Sequence, residues 1–125
     1  MGKAKVYTER YVEWRKRMST IKKSETSGEK LRRMCKNIAD GITDPDKEHW
    51  NDTHKWMEDT YDIRYYVDSS KRYLGAEILV AGGGPTIWVN TYTKYVEGYW
   101  GGDRVNEPFI DNLGLDDYCE ELYGC

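Results

Sequence analysis

The sequence predicts an α+β protein in which N-terminal helices pack on a four-stranded antiparallel β-meander, with a short helix at the C-terminal end. Three observations predict this class. Apolar residues recur at helical spacing through residues 1–60, four β-rich runs joined by short connections follow, and the acidic end of the chain returns to helical spacing. With 125 residues the chain has the length of one domain. We expect a helical, basic part in residues 1–60 and a sheet with an acidic helix in residues 61–125.

The helical part divides into three predicted helices. The first has one apolar stripe at alternating spacings of four and three: Tyr7, Tyr11, Trp14, Met18 and Ile21. Thr26 and Glu29 form a capping-box pattern for the second helix, and Gly41 fits its C-terminal stop. The apolar side of that helix would carry Leu31, Met34, Cys35, Ile38 and Ile42. Asp44 and Pro45 suit the start of a third helix, on which these residues recur at helical spacing: Trp50, His54, Met57 and Tyr61.

The predicted strands cover residues 64–67, 75–81, 86–91 and 95–100, which are rich in Tyr, Ile, Val, Trp and Thr. The connections between them are too short for parallel crossovers, so neighbouring strands should pair antiparallel. Gly82-Gly83-Gly84-Pro85 is predicted to be a hairpin turn that needs a positive φ. Residues 101–110 are interpreted as a polar turn and connection, and residues 115–123 as the last helix.

Charge is divided unevenly along the chain. Residues 1–39 hold 12 Lys or Arg and 4 Asp or Glu, a net of +8. Residues 40–125 hold 7 Lys or Arg and 18 Asp or Glu, a net of −11, so the whole chain carries −3. Such asymmetry indicates either a charged partner or two halves that attract one another.

The residues that could carry catalysis or bind metal do not form a recognisable motif. His49 and His54 are five residues apart, which turns them about 140° from one another on a helix and prevents a shared metal. Residues 44–55 lack the glycine and the final glutamate of a calcium loop, and no Lys-Ser/Thr follows the glycine run. Cys35 lies on an apolar stripe, where a thiol is expected to be buried and inert. We therefore expect no enzyme activity, no cofactor and no metal site.

The cellular location is predicted from two absences in the sequence. No apolar run approaches the roughly 20 residues of a membrane span, and no secretory signal is visible. We expect a cytoplasmic protein whose cysteines, Cys35, Cys119 and Cys125, are reduced, although a bridge between Cys119 and Cys125 stays open.

Two binding hypotheses follow from the charges. In the first, carboxylates and aromatic anchors near the C-terminal end contact a basic protein surface. Its residues are Tyr99, Trp100, Asp103, Asp116, Asp117, Glu120 and Glu121. In the alternative, the basic helices bind nucleic acid directly. Its residues are Arg15, Lys16, Arg17, Lys22, Lys23, Arg32, Arg33 and Lys36. The first hypothesis requires that the cations of the leading helices do not neutralise the acidic end.

Three segments resemble a group of small proteins carried by phages and integrative elements of Firmicutes. They are Tyr73-Leu74-Gly75-Ala76-Glu77-Ile78, Gly83-Gly84-Pro85-Thr86-Ile87-Trp88-Val89-Asn90-Thr91 and Val96-Glu97-Gly98-Tyr99-Trp100-Gly101, within residues 62–123. Small, acidic, Tyr/Trp-rich proteins of such elements are often inhibitors of host defence, including anti-CRISPR and anti-restriction proteins. The resemblance implies a binding protein that blocks a nucleic-acid-handling complex in the bacterial cytoplasm, and it carries no catalytic residues with it. The alternative is a nucleic-acid-binding accessory protein.

Overall fold

The computed structural model describes residues 25–45 and 53–125. Its elements in chain order are helices α1 (Ser27–Thr43) and α2 (Thr53–Glu58), strands β1 (Asp62–Val67), β2 (Tyr73–Ala81), β3 (Thr86–Asn90), β4 (Tyr95–Trp100) and β5 (Asp103–Pro108), and helix α3 (Leu115–Gly124). The α+β class and the C-terminal helix are therefore confirmed. The first predicted helix and its stripe lie outside the described residues.

The sheet is an antiparallel meander of five strands in the order β1-β2-β3-β4-β5, so the prediction of four strands was wrong. The fifth strand, β5, pairs with β4 from Tyr95↔Pro108 to Trp100↔Asp103. It escaped detection because its sequence, DRVNEP, is polar and only Val105 is buried. Gly101 at φ +59° allows the two-residue turn that brings β5 back against β4. The predicted positive φ of the earlier glycine turn is found at Gly83, at +89°.

Helix α1 begins as its sequence predicts. The Thr26 hydroxyl accepts the Glu29 N–H at 3.1 Å, and the Thr26 N–H donates to the Glu29 carboxylate at 3.3 Å. Leu31, Cys35 and Ile42 are buried on its apolar side. Gly41 lies near the end of the helix, as expected, but the helix continues to Thr43 and its C-cap is Asp44, so Gly41 is not the stop. At the end of the helix, the Asp44 N–H donates a hydrogen bond to the Asp40 carbonyl at 2.8 Å.

Helix α2 is short and is held at both ends. The Thr53 hydroxyl donates to the Leu113 carbonyl at 2.5 Å, and Met57 is buried in the core. The helix ends at Glu58, so Tyr61 does not continue the predicted apolar stripe and is 72% exposed. Trp50 lies outside the described residues.

One hydrophobic core lies between the sheet and the helices. Alternation along the strands directs Ala76, Ile78, Val89 and Val96 to the same face, which we call the core face. α1 packs there against β4 and β5, and α3 packs against β2. At Gly98 a β-carbon would lie 2.5 Å from the Cys35 sulfur, so only glycine allows α1 to approach this closely. Within the described ranges, no helix covers the opposite face, which we call the outer face.

Candidate functional site

The N-terminus of α3 is built around the carboxylate of Asp111. Its Oδ1 accepts the N–H groups of Gly114 at 3.0 Å and Leu115 at 2.8 Å, and its Oδ2 accepts the Asp116 N–H at 2.9 Å. These are N–H groups that a helix start leaves unpaired, and a carboxylate there also suits the positive end of the helix dipole. Gly114 supplies the left-handed φ of +82° at which the chain enters the helix. Asp111 thus fixes the direction of α3.

Asp116 fastens α3 to the sheet. Its Oδ1 accepts the Tyr73 hydroxyl at 2.7 Å and the Thr91 hydroxyl at 2.8 Å. The Thr91 oxygen in turn accepts the Ala76 N–H at 2.9 Å, so the bonds run from β2 through the end of β3 to the helix. Burial raises the pKa of the Tyr73 phenol far above its usual value, and its bond to Asp116 raises that pKa further. The structure therefore uses this predicted partner-binding carboxylate inside the fold.

Three carboxylates remain on the exposed side of α3: Asp117, Glu120 and Glu121. We call them the α3 acidic surface. Leu115 and Cys119 are buried on the opposite side of the helix, so the exposed side is fixed in direction. No Lys, Arg or His among residues 25–45 and 53–125 lies within 4.0 Å of these three carboxylates. The α3 acidic surface thus presents negative charge to solvent.

The same helix offers a cluster of carboxylate oxygens that a cation could bind. Oxygens of Asp116, Asp117 and Glu120 lie within 4.8 Å of one another. The Asp116 Oδ1 already accepts two hydroxyl groups, and exposed acidic side chains often lie this close without an ion. We therefore interpret the three carboxylates as a region of concentrated negative charge and not as a metal centre.

An aromatic cluster lies beside α3. The rings of Tyr65 and Tyr123 have centroids 5.2 Å apart, and Tyr73 lies 6.3 Å from Tyr65 and 5.9 Å from Tyr123. The Tyr123 hydroxyl donates to the Lys71 carbonyl at 2.6 Å, which fastens the C-terminal end of α3 to the β1–β2 turn. We call these three rings the tyrosine cluster. No spacing rule connects them, so sequence reasoning missed Tyr65 and Tyr123 as residues of the site.

Trp100 and Asp103 lie elsewhere, at the β4–β5 turn beside the N-terminus of α1. The Ser27 hydroxyl donates to Asp103 at 3.3 Å, and Lys30 lies 5.5 Å above the Trp100 ring. Thr91, which binds Asp116, lies beyond the other end of the β3–β4 pair, so the two places are about 17 Å apart along the strands. Tyr99 points to the outer face, where Arg104 lies 5.5 Å from its ring. The predicted partner-binding residues therefore occupy three places.

The described cations of α1 do not reach the α3 acidic surface. Arg33 makes two bonds to Glu25, at 2.7 and 2.9 Å, and these bonds lower the pKa of Glu25. Arg32 lies 3.7 Å from Glu107. Lys36 lies 3.4 Å from Asp40 on the same helix. The other predicted nucleic-acid-binding residues lie outside the described ranges: Arg15, Lys16, Arg17, Lys22 and Lys23.

The outer face carries a polar network with aromatic rings around it. Asn90 donates to the Tyr66 hydroxyl at 2.9 Å, and that hydroxyl donates to Glu77 at 3.0 Å. Burial raises the pKa of Glu97 on the neighbouring strand, with repulsion from Glu77 adding to the effect. The Trp88 ring is covered by the chain's own Arg64, 4.8 Å from its centroid. The polar groups of Asn90, Tyr66 and Glu77 and the Trp88 ring therefore have partners within the chain.

The thiols and the described histidine have ordinary structural roles. Burial raises the pKa of Cys35 to about 11 and that of Cys119 to about 12, which suppresses the nucleophilic thiolate. Cys119 and Cys125 are both free, and no disulfide joins them. His54 shares a hydrogen bond of 2.8 Å with the Tyr118 hydroxyl and lies 3.5 Å from Glu58. His49 lies outside the described residues.

Comparison with known proteins leaves this geometry as the main guide to function. No family model, no curated protein and no solved structure matches the chain. In the part of the chain that the structure describes, no helix has the length and apolar character needed to cross a membrane.

Proposed function

We propose that the protein is a non-enzymatic binding protein that inhibits a nucleic-acid-handling host defence complex by placing its α3 acidic surface in a basic groove. The observation that carries this proposal is the exposure of Asp117, Glu120 and Glu121 without an ion pair to any described cation. A groove that binds nucleic acid is lined with Lys and Arg, and carboxylates on a small protein can take the place of phosphates there.

The rigidity of α3 supports the same function. Asp111 holds its first turn, Asp116 fastens it to β2 and β3, and Tyr123 fastens its last turn to the β1–β2 connection. Charges on a fixed helix lose little further conformational freedom when they bind. The α3 acidic surface is therefore preorganised for a complementary surface.

The tyrosine cluster supplies the aromatic contact that the sequence-based hypothesis assigned to Tyr99 and Trp100. Tyr65 is 37% exposed and lies against Tyr123 on α3. Tyrosine at the edge of a charged surface contributes apolar contact area together with a hydroxyl, which is typical of residues that dominate binding energy. Tyr65 is thus the anchor that this proposal favours.

The test compares two charge reversals of equal size. The double variant E120K/E121K and the control D40K/D44K each raise the net charge by about four units, the control at the C-terminal end of α1. The tagged wild-type protein is used to capture a target from a bacterial lysate, and the purified target is then titrated with each variant. We expect E120K/E121K to weaken binding by about tenfold to a hundredfold and D40K/D44K to bind like the wild type.

Competition with nucleic acid completes the test. Nucleic acid that occupies the groove of the target should displace the protein, and higher salt should slow association. Equal losses in the two variants, or simultaneous binding of protein and nucleic acid, would contradict the proposal. A gel shift with duplex and single-stranded probes at two salt concentrations tests the alternative, since direct binding through Arg32, Arg33 and Lys36 must weaken steeply with salt.

A further inference from the structure

Strand β1 forms one edge of the sheet and, among the described residues, pairs only with β2. The Thr91 N–H donates to the Ala76 carbonyl at 2.8 Å, so the backbone groups of Ala76 point towards β3. Backbone groups alternate in direction along a strand, so those of Gly75 and Glu77 point towards β1. Their partners Tyr66 and Arg64 point back at them, and Ile63 and Tyr65 direct their N–H and C=O groups to the free side.

This edge has little of the protection that sheets usually give their edges. The sequence DIRYYV has no Lys or Pro, and its one interior charge, Arg64, lies over Trp88 on the outer face, 4.8 Å from the ring centroid. The opposite edge strand, β5, ends in Pro108 and is packed against α1. Among the described hydrogen bonds, one occupies an outward group of this edge: the Ile63 N–H donates to the Asp62 carboxylate at 2.9 Å. Apolar side chains are exposed along the edge, with Tyr61 at 72%, Tyr65 at 37% and Val67 at 42%. An added strand would find both main-chain groups and apolar contacts here.

The α3 acidic surface and this edge lie on the same side of the sheet. Tyr65 on β1 contacts Tyr123 on α3, with ring centroids 5.2 Å apart, and Tyr65 pairs with the buried Ala76 of the core face. We propose that the β1 edge takes an extended, Lys- or Arg-bearing segment of the protein partner as a sixth strand. Alternate side chains of such a strand face the helix side, where Asp117, Glu120 and Glu121 attract cations. This inference rests on the proposed function and names the chemistry of its partner.

Charge argues against a second copy of this chain as the occupant. Two β1 strands paired antiparallel are related by a two-fold axis perpendicular to the sheet, because this pairing continues one sheet through both copies. Both α3 helices would then lie on the same side of the joined sheet, and each carries four carboxylates and no Lys or Arg. Like charges brought together oppose association, whereas a basic segment removes the repulsion.

The test uses capped hexapeptides as probes, matched to the six residues of β1. One alternates valine and lysine, a second has glutamate in place of lysine, and a third is the valine–lysine peptide with an N-methyl group on every residue, so that no main-chain N–H can be donated to β1 in either orientation. Each is added to the isotope-labelled full chain, and amide shifts and hydrogen exchange are recorded. We expect the lysine peptide to shift β1 and α3 and to slow exchange at Tyr65 about tenfold, with both other peptides binding at least about tenfold more weakly.

The variants Y65P and Y65A separate main-chain pairing from side-chain contact. Proline removes the outward N–H, whereas alanine keeps it and removes only the ring. We expect Y65A to retain the exchange protection in the remainder of β1 and Y65P to lose it. Shifts confined to another surface, equal binding of the two variants, or peptide-independent dimerisation would overturn the inference. If E120K/E121K abolishes binding of the captured target while Y65P binds that target as well as Y65A does, strand addition fails and the proposed function stands.

Discussion

At the scale of single residues, the acidic side chains of the C-terminal region divide into those that hold the fold together and those that face solvent. Asp111 accepts three N–H groups and Asp116 accepts two hydroxyl groups, whereas Asp117 has no ion-pair partner among the described residues. A count of charges along the sequence treats these carboxylates alike. It does not show which of them are hydrogen-bonded, because their partners lie up to 43 residues away in the chain. Charge reversal of Asp116 would therefore test the fold, not binding.

Substitution of two glycines by alanine should change the stability of the protein in opposite directions. Gly98→Ala should destabilise the protein by about 1–3 kcal/mol, since the new methyl group meets Cys35 and Leu31 in a filled core. Gly41→Ala should stabilise it by about 0.5–1 kcal/mol, because the added group meets no atom within 4 Å and Gly41 lies inside α1. Urea unfolding measures both. A tolerated Gly98→Ala would contradict the close approach of α1 to β4.

At the scale of elements, local patterns predicted most of the fold. The capping box, the apolar stripe of α1 and the strands rich in β-branched and aromatic residues were all predicted correctly. β5 was missed because its own composition favours a turn, and its extended conformation depends on pairing with β4. The end of α1 was predicted near Gly41, and the helix extends two residues further, to Thr43, with Ile42 buried on its apolar side as expected.

The start of α3 gives the element-scale prediction. Asp111→Ala should cost about 1–2 kcal/mol, because three backbone N–H groups lose their acceptor at once. Asp117→Asn, also at the first turn but exposed, should change stability by only a few tenths of a kcal/mol. Thermal unfolding followed by circular dichroism compares them. Similar small effects from the two changes would mean that Asp111 does not cap the helix.

At the scale of the whole molecule, opposite charges are separated along the chain and remain separated in the described structure. Three cations of α1 pair with carboxylates outside α3, Arg32 with Glu107, Arg33 with Glu25 and Lys36 with Asp40. The α3 acidic surface forms no ion pair with a described cation. The sequence predicted that an acidic end exists, but it could not predict which carboxylates share a surface. That depends on the five-stranded pairing, which places Trp100 and Asp103 at one end of the sheet and Asp116 near the other.

The buried thiols give a prediction for stability at high pH. Burial raises the pKa of Cys35 to about 11 and of Cys119 to about 12, whereas an unfolded thiol titrates near about 8.5. Between these values the unfolded chain has lost protons that the folded chain keeps. Unfolding therefore releases protons, and the free energy of unfolding falls as pH rises from about 8.5 to about 11 for Cys35 and to about 12 for Cys119, while the full contribution of the thiols is present below that range.

Substitution of Cys119 measures how much of this pH dependence comes from its thiol. Near pH 10 the two buried thiols should together contribute about two protons to the slope of unfolding free energy against pH, and Cys119→Ala should remove about one of these. Cys125→Ala, which removes an exposed thiol, is the matched control. Urea unfolding in a series of buffers measures all three proteins. An unaltered slope in Cys119→Ala would mean that this thiol is open to solvent, and α3 could then not be seated on the core in the way that fixes the direction of its acidic side.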